Sequence, residues 1–266
     1  MSGVRLRLKT PPQGRLDFSN IQPQLLCGLS SEQISNLTFS LGKMGDFFDI
    51  SMGGDDQSVI LQDTTEKCDF IGNNLQSGHV LVEGHVGAYA AQHMKAGRLT
   101  VKGMAGDWFG AGMQGGIATI ASSAGNFIGG VLAGEKFGMS GGIISVGSYV
   151  GERAGDRMRR GTIVVHGKTG KATGSRMVGG TIWVHGCLGG GPGPLMRRGT
   201  LIAGTVERLL PTFSDCGQHD MVFLRLMSRY VADTLGPLAP PALPLEVRRY
   251  AGDMAALGKG EILLTG

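Results

Sequence analysis

Residues 158–180 have the sequence MRRGTIVVHGKTGKATGSRMVGG, and this stretch decides the fold. Met158 stands three residues before Gly161, and the alternating run TIVVH follows that glycine. Further glycines come six, nine and thirteen residues after Gly161, and the motif starts again at Met177 and Gly180. Alternation of apolar side chains has the period of a β-strand, and glycines allow tight corners. The stretch therefore predicts one short strand in each nineteen-residue unit.

The same unit recurs along much of the chain. The first glycines of successive units are separated by 19, 19, 26, 19, 19 and 19 residues, and the long interval contains seven extra residues near 130–136. A degenerate unit can be traced before the first regular one, through residues 59–61, Gly72 and Leu75. A fixed period of this length is typical of units that stack on copies of themselves. The first glycines are Gly78, Gly97, Gly116, Gly142, Gly161, Gly180 and Gly199.

The second and fourth residues of each strand form one apolar face. All fourteen of them are Val, Leu, Ile or Ala, so this face is predicted to point inward. Parallel pairing at about 4.8 Å per unit gives a rod on the order of 35 Å long. The predicted fold is all-β: a single-stranded right-handed parallel β-helix of about seven to eight 19-residue coils with flanking non-repeat segments.

The repeat divides the chain into three predicted parts. Residues 1–57 form a non-repeating N-terminal cap, 58–204 the parallel β-helix, and 205–266 a C-terminal extension. In the cap, residues 31–37 have a helical pattern with Ser30 or Ser31 as the N-cap, and residues 43–50 are expected to be a loop leading into a strand. In the extension, residues 221–235 have helical apolar spacing and the proline-rich residues 236–247 are expected to be extended.

Composition places the chain among cytoplasmic proteins. Its 266 residues include 47 glycines without a strict triplet period, which excludes collagen, and four widely spaced cysteines, which indicate reduced thiols rather than a disulfide framework. The N-terminus lacks an apolar signal-peptide core, and no apolar run approaches the roughly 18 residues that span a bilayer. We therefore expect a cytoplasmic protein without a membrane partner.

Three features together carry a family resemblance. They are the tandem pattern M-x-x-G-x-I-x-V-x-G-x-x-G, the insertion before GMSGG at 138–142, and KMGDFFDI at 43–50. Residues 40–205 resemble the C-subunit family of formylmethanofuran dehydrogenase, which includes the C subunit of bacterial formyltransferase/hydrolase complexes. The same repeat occurs in the C-terminal domain of the large glutamate synthase subunit. Abundant Ala, Gly and Arg and a long extension without iron–sulfur cysteines favour the bacterial complex.

The resemblance implies a non-catalytic structural subunit. In such a complex a formyl group passes from tetrahydromethanopterin, through a methanofuran-type cofactor, to formate. The implied partners are the hydrolase and formyltransferase subunits, with no cofactor bound covalently. One alternative is the C subunit of a molybdenum or tungsten formylmethanofuran dehydrogenase. Another is a free-standing β-helix that binds or cleaves acidic glycans.

Neither a catalytic nor a metal site emerges from the residues. The acids within the repeats, Glu83, Asp107, Glu135, Glu152 and Asp156, occupy different repeat positions, so no paired carboxylates are expected. His166 and His185 occupy the same position in adjacent units, about 5 Å apart, and no third metal ligand accompanies them. We therefore predict no catalytic residue and no metal site.

Trp183 lies on the face of the strand that should point outward. Val164 and Ile202 occupy the same position in the neighbouring units, so the three form an apolar ladder. Something must cover such a ladder. Two covers are equally open: the C-terminal residues 205–266, or a subunit interface at Val164, Trp183 and Ile202.

Basic residues concentrate in the later units. Residues 151–208 contain ten Lys or Arg and three acids, whereas the whole chain has a net charge of only +4. Stacked like charges repel, so an anionic partner is expected. Nucleic acid is disfavoured because stacking aromatics are missing near the stripe. This leaves an acidic patch on a partner subunit or, as the resemblance implies, the polyglutamate arm of a methanofuran-type cofactor. The predicted track comprises Arg157, Arg159, Arg160, Arg176, Arg197 and Arg198.

Overall fold

The structure is a computed structural model that describes residues 3–39, 42–53, 55 and 57–266. It is strand-rich and contains one large sheet of thirteen strands, most of them paired in parallel. The all-β prediction is thereby confirmed. The strands are β1 Val4–Leu8, β2 Leu16–Asp17, β3 Thr38–Phe39, β4 Gly42–Lys43, β5 Phe48–Met52, β6 Ser58–Gln62, β7 Cys68–Asp69, β8 His79–Glu83, β9 Arg98–Val101, β10 Ile117–Ile120, β11 Ser140–Val146, β12 Arg160–Val165, β13 Thr181–Leu188, β14 Arg198–Val206, β15 Ser214–Asp220, β16 Glu246–Gly252 and β17 Lys259–Leu264.

The described helices are short and few. The longest has thirteen residues, and among the described helices none is long and apolar enough to cross a membrane. They are α1 Pro23–Leu26, α2 Ser31–Ser35, α3 Met44–Phe47 and α4 Phe223–Leu235, followed by the 3-10 helix η1 Gly236–Leu238.

The repeated strands pair in the register of the sequence repeat. Ile163 lies opposite Ile182, and Ile182 lies opposite Leu201, each one unit further along the chain. The 26-residue interval keeps the same register, because Ala118 lies opposite Ile144. The sheet order, β15-β16-β17-β14-β13-β12-β11-β10-β9-β8-β6-β1-β5, therefore follows the order of the units from β14 back to β6.

The predicted inward face is the core. All fourteen apolar residues at the second and fourth strand positions are at most 2% exposed. The methionine that precedes each regular unit after the first is also fully buried, from Met94 to Met196. At the corners glycine is required by close backbone contact: Gly97 has φ +78°, and a Cβ there would lie 2.6 Å from the carbonyl oxygen of Gly78.

The N-terminal segment contributes to the sheet as well as covering its end. β1 pairs in parallel with β6 and antiparallel with β5. The helix predicted at 31–37 is α2, and Ser30 caps it with a reciprocal Ser30–Gln33 capping box. The predicted loop at 43–50 is wrong in part, because residues 44–47 form α3. The Asp46 carboxylate accepts the backbone N–H of Lys43 at 2.9 Å, which closes this helical turn.

The C-terminal segment adds strands to the sheet and packs a helix on one of its faces. Helix α4 falls within the predicted range 221–235, and η1 replaces the start of the expected extended stretch. β17 then pairs in parallel with β14, and β16 and β15 add antiparallel strands beyond it. β15 and β17 lie outside the predicted helix and proline-rich segment, whereas β16 begins within the last two residues of that segment.

Candidate functional site

The apolar ladder of Val164, Trp183 and Ile202 lies beneath the C-terminal segment. Pairing of β12, β13 and β14 places the three side chains side by side, and Leu263 of β17 continues the row. Val164 and Ile202 are fully buried and Trp183 is 1% exposed. The cover consists of apolar side chains from α4 and β16, namely Leu224, Val231, Leu235 and Val247.

This cover corrects the predicted subunit interface at Val164, Trp183 and Ile202. Side chains without solvent exposure in the single chain have no surface left for another subunit. Burial of each large apolar side chain is worth about 1.5–3 kcal/mol, so packing of the chain's own helix on the ladder stabilises the fold. The ladder is therefore covered by the C-terminal residues 205–266, which is one of the two covers that the sequence leaves open.

Five of the six predicted arginines form an exposed cationic surface, the arginine patch, made of Arg157, Arg159, Arg160, Arg197 and Arg198. Four of them are exposed and Arg157 is half-buried. Among the described residues no carboxylate lies within salt-bridge distance of these five guanidinium groups. Lys259 lies opposite Arg198 on the next strand and adds a further cation. The patch is therefore a positively charged surface whose charge is available to an anion from outside the chain.

The seven-residue insertion reaches the edge of the arginine patch. The guanidinium carbon of Arg159 lies 5.2 Å from the ring centroid of Phe137, and the Lys136 Nζ lies 5.3 Å from the same centroid. Cation–π contacts at exposed sites are worth about 0.5–1 kcal/mol. Phe137, directly after the insertion, therefore contacts Arg159, and Lys136 of the insertion adds to the cationic surface.

Arg176 differs from the other predicted track residues because it is paired. Its Nε donates to Asp156 Oδ1 at 3.0 Å, and its Nη2 donates to Asp156 Oδ2. Arg153 Nη2 also approaches Oδ2, at 3.4 Å. The Asp156 side chain is only 2% exposed, so this carboxylate depends on both guanidinium groups for compensation. Arg176 therefore stabilises the turn, and its charge, unlike those of the arginine patch, is already paired within the chain.

A ladder of stacked aromatic rings, missed in the sequence, runs along another corner of the units. Phe70, Tyr89, Trp108 and Phe127 stack with centroid distances of 5.2, 5.5 and 4.8 Å and interplanar angles of at most 16°. The Arg153 guanidinium continues the stack, 5.5 Å from the Phe127 ring. The signal that reveals it is the spacing: these four aromatics are each nineteen residues apart.

The aromatic ladder is built on unfavourable backbone. All four residues have φ between +55° and +61°, in the left-handed region that aromatic residues rarely adopt. Offset stacking is worth about 0.5–1.5 kcal/mol per pair, which offsets part of this strain. The ladder therefore serves to fix the stacking of the first four units.

Replacement of Trp108 by asparagine tests this role. Asparagine tolerates the left-handed region, so the change removes two stacking contacts without adding backbone strain. We expect the free energy of unfolding to fall by about 1–2 kcal/mol, measured by urea denaturation. The control is Ala172→Asn at the same turn position (φ +56°), where no aromatic ring stacks and little change is expected. An equal effect of both variants would contradict the stacking role.

The chain has relatives of known sequence and known structure. No family model matches the chain. The C subunit of the formyltransferase/hydrolase complex Fhc of Methylorubrum extorquens is 45% identical over 268 residues, which covers 99% of both chains. The chain belongs to the Fhc C-subunit family. In three dimensions it superposes, with a TM-score of 0.91 and 41% identity, on a chain of the X-ray structure of the formyltransferase/hydrolase complex FhcABCD from Methylorubrum extorquens in complex with methylofuran.

The tungsten-containing dehydrogenases are more distant relatives than the Fhc C-subunit family. The C subunit of the tungsten-containing formylmethanofuran dehydrogenase 2 of Methanothermobacter marburgensis is 33% identical over 97 residues, which covers 34% of this chain and 36% of the relative. The family resemblance seen in the sequence is thereby confirmed. The preference for the bacterial complex rests on the match over 99% of the chain, against about a third for the dehydrogenase.

The acids and histidines that this member of the Fhc C-subunit family carries in its repeats are mostly engaged. Hydrogen bonds from Lys102 and Gln62 hold the pKa of Glu83 below its ordinary value. His93 Nε2 lies 2.7 Å from Glu135 Oε1 and ties the insertion to the unit two before its own. Among the described residues, no three His, Cys, Asp or Glu side chains cluster closely enough to hold a metal ion.

Proposed function

We propose that this chain is the non-catalytic structural subunit of a formyltransferase/hydrolase complex. In that complex a formyl group passes from tetrahydromethanopterin, through a methanofuran-type cofactor, to formate. The partners of the chain are the hydrolase and formyltransferase subunits, in the cytoplasm. The observation that carries the proposal is the 45% identity to the Fhc C subunit over 99% of both chains.

The architecture suits a structural role. We infer that the units are turns of a right-handed parallel β-helix of 19-residue coils, with residues 1–57 and 205–266 flanking the repeats at 58–204. Equivalent residues of consecutive units lie opposite one another, such as Val165 and Val184. The inward face is filled by side chains, which leaves only outer surfaces for partners and cofactor.

No residue of the chain is proposed to be catalytic. Asp156 is buried between Arg153 and Arg176, and Glu83 is bound by Lys102 at 2.5 Å. Glu135 binds His93. Carboxylates held by side-chain hydrogen bonds in this way serve the fold, and the formyl chemistry belongs to the partner subunits.

The arginine patch is proposed as the contact for the polyglutamate arm of the cofactor. Its two pairs, Arg159–Arg160 and Arg197–Arg198, lie where two strands begin, β12 and β14, which are two apart in the sheet and about 10 Å from each other. A flexible polyanion can bridge that distance, and each exposed ion pair contributes about 0.2–1 kcal/mol. Several weak pairs hold the arm while allowing it to move.

The double variant Arg197→Gln with Arg198→Gln tests whether the arginine patch binds the polyglutamate arm. We expect the KM for the cofactor in the assembled complex to rise roughly threefold to tenfold, because two exposed ion pairs are lost. Coupled conversion of the formyl group to formate should slow at limiting cofactor. The measurement is steady-state flux at several salt concentrations, because the wild-type KM should depend more strongly on salt than that of the variant.

The matched control is Lys168→Gln with Lys171→Gln. Both lysines are exposed cations of a neighbouring unit, outside the patch. This control should leave the KM unchanged. If the variant at 197 and 198 kept the wild-type KM and assembled normally, contact between the arginine patch and the polyglutamate arm would be refuted. If it failed to assemble, the patch would instead meet an acidic surface of a partner subunit.

A further inference from the structure

Helix α4 has a second apolar surface, opposite to the one that covers Trp183. At about 100° per residue, Leu226 lies roughly 200° around the helix from the buried Leu224. Leu226 is 70% exposed and Tyr230 is 47% exposed. Val222 and Phe223, at the start of the helix, complete what we call the outer stripe, with exposures of 65% and 36%. Contiguous exposed apolar side chains of this size mark an interaction surface.

The spacing of the outer stripe fits a helical partner. Val222, Leu226 and Tyr230 follow one another at four-residue intervals, and Phe223 lies three residues before Leu226. Residues at these intervals form a straight ridge on a helix. Such ridges pack against the apolar face of another amphipathic helix.

One flank of the outer stripe is cationic and already forms a groove. Arg225 and Arg229 line this groove, of about 320 Å³, together with Pro240 and Ala242 of the following segment. No described carboxylate lies within salt-bridge distance of Arg225. Arg229 pairs with Asp233 at 3.7 Å, but both side chains are more than 70% exposed, so this pair is weak. The groove therefore suits a carboxylate from outside the chain.

We propose that the outer stripe docks an amphipathic helix of another subunit of the complex, with a glutamate or aspartate of that helix in the groove beside Arg225. The proposal rests on the proposed function as a complex subunit and names the surface and the chemistry of the partner. Charge complementarity selects this occupant, because a second copy of the chain would bring its own arginines to the groove.

The first test is Leu226→Asp in the full chain, purified alone and then combined with the other subunits of its complex. A charge at the centre of the ridge should weaken assembly at least tenfold, as measured by titration of the purified chain into the remaining subunits. The control is Met104→Asp. Met104 is 50% exposed and lies outside α4, so this variant should assemble like the wild type. Both substitutions are at the surface, and equal melting temperatures of the isolated variants verify folding.

The second test is Arg225→Glu, which should also weaken assembly and should reduce its dependence on salt. If the wild type did not assemble with the other subunits, the proposed function itself would fail. If the wild type and Leu226→Asp assembled equally well, only the docking surface would be refuted. A change in self-association of the isolated chain, with unchanged assembly, would assign the stripe to a second copy and overturn the proposal.

Discussion

Replacement of Trp183 by alanine should lower the free energy of unfolding by about 4 kcal/mol. The indole is 1% exposed and is packed between the outer face of the sheet and the inner face of α4. Its removal leaves a cavity that the paired strands cannot collapse to fill, because the neighbouring ladder residues are fixed by the sheet register. Urea denaturation followed by circular dichroism measures the loss.

A local readout separates undocking of α4 from general destabilisation. Since Leu224, Val231 and Leu235 pack on the same cluster, Trp183→Ala should also expose residues 205–245 to proteases under native conditions. Trp183→Phe, which keeps most of the apolar volume, is the control and should cost less than half as much. A loss below about 1 kcal/mol in the alanine variant would show that the helix does not pack on this ladder.

The repeating part of the fold is predictable because its determinants are local. Glycine corners, period-two alternation and a nineteen-residue spacing specify which residues point inward, and Ile163, Ile182 and Leu201 lie in the expected register. These signals act over one unit at a time. The same spacing reveals Phe70, Tyr89, Trp108 and Phe127 once aromatics are followed instead of glycines.

The cover of the sheet is not predictable in this way, because it depends on contacts between distant segments. β17 repeats the motif of a glycine followed by alternating apolar residues, and Gly260 lies opposite Gly199. However, the two glycines are 61 residues apart in the chain, and a nineteen-residue period does not predict pairing between strands at that distance. The sequence therefore leaves two covers open for Trp183, and only the packing of α4 decides between them.

Charge counting predicts a cationic surface but not which arginines are available for a partner. Arg157 and Arg176 occupy the same turn position in consecutive units, and both have left-handed φ values of 53°. They differ only in their neighbours. Asp156, next to Arg157 in sequence, turns inward and is bound by Arg176 of the following unit. Side-chain direction at a left-handed corner is set by the stacked neighbour, which the spacing alone does not give.

Replacement of Arg176 by alanine should therefore lower the free energy of unfolding by about 3 kcal/mol, whereas Arg157→Ala should change it by less than about 0.5 kcal/mol. The loss arises because the Asp156 carboxylate, 2% exposed, keeps only the longer contact with Arg153 at 3.4 Å. Chemical denaturation of the two variants measures the difference, and Arg157 is the matched control at the same turn position.

A double-mutant cycle identifies the cause of that loss. If an uncompensated buried carboxylate is responsible, Asp156→Asn should recover part of the stability of the Arg176→Ala variant, because a neutral amide needs no counter-charge. If the guanidinium instead stabilises by packing alone, the two losses should add. Equal losses for Arg157→Ala and Arg176→Ala would contradict the assignment and return Arg176 to the arginine patch, where its charge would be available to an anionic partner.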